Sequence, residues 1–126
     1  MQDEPTPIEL TKAVAEFLRN DITPAISGHN AFKLRVAINA LDLVARQLTL
    51  AGGSDAAEAA SLKGLLGIDG DLAGLNRALA QKIAKGEVDL NTPGLTEHLW
   101  QTTMAKLAVD QPNYGSYKRE LGREGK

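Results

Sequence analysis

Two arginines, an asparagine and an aspartate recur at Arg35, Asn39, Asp42 and Arg46, spaced four, three and four residues apart. On a helix turning ~100° per residue they fall within a wedge of about 60°, which Thr49 extends. Phe32, Val36, Ile38, Leu41, Val44 and Leu48, among others, take nearly every other direction round the same segment. A guanidinium fork matches the paired oxygens of a carboxylate or phosphate, so such a line suits an anionic group. Asp42 opposes that use, because one turn from Arg46 it can pair with it. The wet side of a core helix would carry the same pattern. Both readings stand at this level.

A second polar line lies nearer the C-terminus, where Thr103, Lys106 and Asp110 follow one another at three- and four-residue spacing. Lys106 and Asp110 can pair one turn apart, and Lys106 lies angularly near Leu95 and Leu99, as a lysine snorkelling to solvent does. Two hypotheses follow. In one, Arg35, Asn39, Asp42, Arg46, Lys106 and Asp110 contact a protein partner. In the other, Arg35, Arg46 and Lys106 line an anion-accepting cavity between the second and fifth helices, serving a small-molecule binding protein or a small helical enzyme.

Established catalytic signatures are missing from the sequence. No glycine-rich run ends in Gly-Lys-Ser/Thr to cradle a phosphate. Asp69-Gly70-Asp71 begins like a calcium loop but continues with apolar residues where oxygen ligands are needed, so it reads as a helix-capping turn. His29 and His98 are the only histidines and form no His-Glu-x-x-His pair. His29 reads as a capping or packing residue and His98 as a surface residue. No Gly-x-Ser-x-Gly elbow is present. With no cysteine there is no disulfide, thiol nucleophile or thiolate zinc site. Neither a catalytic residue, a metal ligand nor a cofactor is assigned.

The elements that must position these residues read as helices. Aromatics are only 4% of the 126 residues, and apolar positions recur at three and four rather than two. Thr6, Pro7 and Glu9 have the grammar of a capped start, which predicts a first helix from Pro7 to Asn20. A connector punctuated by Pro24 and Gly28 leads to a second helix from Asn30 to Leu50, stopped by Gly52-Gly53. A third begins after its cap Ser54 and ends at Gly67, a fourth is capped by Asp71 and closed by Gly86, and Thr92-Pro93 opens a fifth that Pro112 ends. Trp100, Met104 and Leu107 are expected in the core; Tyr114 and Tyr117 either dock the chain end or face a partner. The expected fold is all-α, a single-domain up-and-down bundle of about five helices over residues 1–117, with a mobile C-terminal tail over 118–126.

Fourteen basic against sixteen acidic side chains give a net charge of -2, which disfavours a nucleic-acid footprint. The acidic start is unlike a secretory signal, and no apolar run approaches the ~18 residues of a membrane span. The expectation is a cytoplasmic protein with no membrane association.

His29, Phe32, Arg35-Val36-Ala37, Asn39 and Arg46, together with Lys106-Leu107-Ala108, Asp110, Pro112 and Tyr114, resemble an uncharacterised bacterial family of small helical proteins. The family is classed as a domain of unknown function. The likeness extends from the proline-opened first helix to Tyr117, with Gln111 standing where an Asn before Pro112 is expected. Family genes tend to lie beside aminoglycoside-phosphotransferase-like kinases and acyl-CoA dehydrogenases. The resemblance therefore implies an accessory role in acyl-CoA or hydroxy-acid catabolism, with such a kinase or dehydrogenase as protein partner. It implies no activity of the chain's own. Together with the missing catalytic motifs, it favours a non-catalytic accessory or interaction protein, with a homodimer as one arrangement.

Overall fold

The computed structural model describes residues 4–124. Five α-helices make up its regular structure, and no strand occurs among the described residues. The chain is all-α, as its periodicity requires. It divides into two compact units between Leu50 and Ala51.

In the first unit, helix α1 (Pro7–Phe17) opens with the anticipated capping box. The Glu9 amide donates to Thr6 Oγ1 at 3.1 Å, and the Thr6 amide donates to Glu9 Oε2 at 3.0 Å. Two otherwise orphaned donors are thereby satisfied. The helix was expected to reach Asn20. Instead its hydrogen bonding widens into a π-helical turn, Leu18–Ile22, followed by a 3-10 turn, Thr23–Ala25. Pro24 forces that change, since it has no N–H to continue an α-helix. Thr23 also returns its hydroxyl to the Leu18 carbonyl at 3.0 Å.

Helix α2 (His29–Leu66) follows and is 38 residues long. The sequence suggested two helices here, separated by Gly52-Gly53. Neither glycine has a positive φ, so neither ends the helix. Two interior glycines cost only about 1 kcal/mol each relative to alanine. Ser54, expected as the cap of a new helix, instead donates its hydroxyl back to the Ala51 carbonyl at 3.3 Å. The first unit buries few side chains, chiefly Ala15 on α1 and Ile38 and Ala45 on α2. Much larger ones stay exposed.

The second unit holds the last part of α2 with α3 (Leu72–Ala84), α4 (Leu95–Asp110) and α5 (Gly115–Glu124). Asp71 caps α3, its Oδ1 accepting from the Gly74 amide at 2.7 Å. Leu62, Leu75, Leu79, Val88 and Leu95 form the core, with Leu66 and Leu72 against it. Leu62 is completely buried. Helix α4 starts two residues after the expected Thr92-Pro93 opening, because Thr92 Oγ1 is taken by the Asp89 amide at 3.0 Å in the preceding turn. Gly94 supplies the start instead, at φ 89°, with Leu65 only 3.3 Å from where a Cβ would stand.

The expected tail is helical as far as Glu124; Gly125 and Lys126 lie outside the described residues. Tyr117 is buried, whereas Tyr114 is exposed. Trp100 Nε1 donates to Glu124 Oε1 at 3.0 Å, which fastens the end of α5 to α4. Trp100 itself is 45% exposed rather than a core residue, because its indole N–H reaches outward for that carboxylate.

Candidate functional site

The polar line on α2 meets two different environments. Arg35 and Asn39 are exposed, while Asp42 and Arg46 are partly buried and line an open cleft of about 310 Å³. Lys12 of α1 forms another wall, with Ala45, Thr49 and Leu50 completing the lining. Thr49 donates its hydroxyl to the Ala45 carbonyl at 2.7 Å, so inside the cleft its oxygen offers lone pairs only.

Asp42 pairs with a residue that the helical spacing does not bring near it. Its Oδ2 lies 2.7 Å from Arg19 Nη2, in the π-helical turn after α1. The widened turn carries Arg19 back to α2, and the carboxylate charge is met there. Lys12 and Arg19, absent from the sequence candidates, are thus part of this site. One signal for them existed: two cations seven residues apart share a face of a helix.

Lys106 and Asp110 lie on α4, in the second unit, and both are exposed. Thr103 in their line returns its hydroxyl to the Leu99 carbonyl at 2.7 Å.

His98 departs from its expected surface position. It is 3% exposed, and its Nδ1 lies 2.7 Å from Ser61 Oγ. The serine satisfies an imidazole nitrogen that burial would otherwise strand, which allows a histidine to sit beside Leu95 in the interior. Thr102 adds a hydroxyl bond to the His98 carbonyl at 3.0 Å. The arrangement ties α2 to α4 inside the second unit. His29 packs against the ring of Phe32, with centroids 6.5 Å apart and planes at 15°. Among the described residues no three His, Asp or Glu side chains are placed to hold a metal ion.

The larger surface feature of the first unit is apolar. Phe32, Val36, Leu43 and Leu50 follow one another at spacings of four, seven and seven on α2 and are 56, 53, 37 and 39% exposed. Their angular positions span about 40°. On α1, Leu10, Val14 and Phe17 form a second exposed line. Isolated exposed apolar residues are ordinary, whereas here four large ones share one face of a single helix. No described helix is long and apolar enough to cross a membrane.

No curated protein and no solved structure matches the chain. A family model does match, over residues 24–114. That stretch takes in the polar line, the apolar line of α2 and all of α4, and leaves α1 and α5 outside. It is narrower than the resemblance drawn from the sequence, which began at the first helix. Well over half of the chain is nonetheless matched, and the chain belongs to the family described as Domain of unknown function (DUF6285).

Proposed function

We propose that this is a non-catalytic helical accessory protein that works by docking a protein partner onto its first unit. The observation that carries the reading is the exposed line of Phe32, Val36, Leu43 and Leu50 on α2. An amphipathic helix binds a partner through anchors at such spacings, and large apolar anchors supply most of the energy of an interface. Arg35 and Asn39 beside that line provide the polar rim that fixes orientation. Lys106 and Asp110 on α4 are exposed as well and form a secondary set of contacts.

The partner is a phosphotransferase-like kinase or an acyl-CoA dehydrogenase, in line with the gene setting that the sequence resemblance implies. The setting is cytoplasmic, and the role is support of acyl or hydroxy-acid catabolism. Co-expression with each class of partner, followed by purification on the partner's tag, tests this. The reading predicts co-purification and a changed activity of the partner. Failure of both with both classes would overturn it. A homodimer is distinguished by light scattering of the chain alone, which would then give twice the monomer mass.

A further inference from the structure

The cleft between α1 and α2 carries a second conclusion, which shares only Leu50 with the docking line and is tested on the chain alone. We infer that it is a binding site for a small oxyanion with a short apolar body, a carboxylate or a phosphate ester, held between Lys12 and Arg46.

Charge is the first ground. Among the described residues, the cations Lys12 and Arg46 line the cleft together with one carboxylate, Asp42. Arg19 meets Asp42 at 2.7 Å, so the repulsion that Asp42 would exert on an anion is largely cancelled. Lys12 makes no ion pair among the described residues. Arg46 is engaged in an interaction of its own, and a guanidinium carries five N–H donors.

Shape is the second. A volume of about 310 Å³ lies at the small end of ligand sites. Ala45 and Leu50 give the lining an apolar portion, and the cations stand on two different helices. That arrangement holds a charged head between two walls and lays a short carbon body on the floor. Thr49, whose proton is committed to the Ala45 carbonyl, accepts from a ligand O–H or N–H and donates nothing to the oxyanion. Among the described residues of the lining, Lys12 and Arg46 are therefore the groups that hold the head.

Titration of the ¹⁵N-labelled full chain with inorganic phosphate and, separately, with butyrate tests this, against chloride at matched ionic strength. The expected result is saturable amide shifts at Lys12, Ala45, Arg46 and Thr49 for at least one of the two anions. Whichever binds more tightly names the head group. Lys12→Gln and Arg46→Gln should each weaken binding about tenfold, the equivalent of ~1.4 kcal/mol. Lys33→Gln, on the other side of α2, should change nothing. Asp42→Asn should tighten binding, because it leaves the Arg19 guanidinium without its carboxylate beside the cleft; a merely structural role for these residues gives no reason for that. Shifts that never saturate, that spread over all exposed cations, or that survive in Lys12→Gln and Arg46→Gln with circular dichroism unchanged would overturn the assignment.

Discussion

Ser61 and His98 meet inside the second unit at 2.7 Å, and the consequence of separating them is calculable. Ser61→Ala leaves the Nδ1 of a 3% exposed imidazole without its partner. A stranded buried polar group costs about 1–3 kcal/mol, so the urea midpoint should fall accordingly. An unchanged midpoint would mean that the pair contributes nothing. Asp69 offers a test of charge at the same scale. The Lys63 ammonium, 3.0 Å away, and then the Gly70 amide hold its carboxyl below the usual carboxylate range. A carboxyl depressed in the folded state adds stability above its unfolded value, and loses that contribution as pH falls through the folded value. A carboxyl NMR titration should therefore show a midpoint for Asp69 that rises in Lys63→Met. Equal midpoints in the two proteins would contradict the pairing. Neither feature was legible residue by residue. A lone histidine near the start of a helix reads as surface, and its serine lies 37 positions away in the chain.

At the scale of elements, glycines give the sharpest contrast. Gly52 and Gly53 lie in the continuous α2, with nothing within 4 Å of where a Cβ would stand. Alanine at either should stabilise by about 0.5–1 kcal/mol, since a helical glycine gives up more chain entropy than alanine. Gly94→Ala should destabilise, because φ is +89° and Leu65 approaches to 3.3 Å. Thermal melts of the three variants decide it, and a loss of stability at Gly52 or Gly53 would place a break in α2. The double glycine looked like a stop because glycine is a frequent helix terminator. A glycine stops a helix by turning left-handed, however, as Gly67 does at φ 65° where α2 ends. Helix α5 was hidden for the opposite reason. Lys118-Arg119-Glu120 reads as a solvated tail, yet Arg123 and Glu120 pair at 2.7 Å and Tyr117 anchors the turn before them. The caps of α1 and α3 were legible from local spacing, because each capping bond spans only three residues.

Across the whole molecule, helical periodicity was enough to make the chain all-α, and the charge spacing was enough to mark the polar line on α2. What each side of that helix faces was not available from angles alone. Asp42 is met from 23 residues upstream by an arginine on a π-helical turn that no helical pattern announces. Apolar residues on every side of a segment suggested a central helix. In the structure the first unit instead leaves Phe32, Val36, Leu43 and Leu50 partly exposed. That line is the surface on which the proposed accessory role rests. The most direct measurement is the light-scattering mass of the assembly purified after co-expression with the kinase-like or dehydrogenase partner, for the natural chain and for Val36→Glu/Leu43→Glu. Both substitutions fall at exposed positions, so helicity by circular dichroism should be retained. The account predicts a heteromeric mass for the natural chain and separate components for the double variant, whose two carboxylates would have to be desolvated in the interface. An assembly that survives both substitutions intact would contradict it.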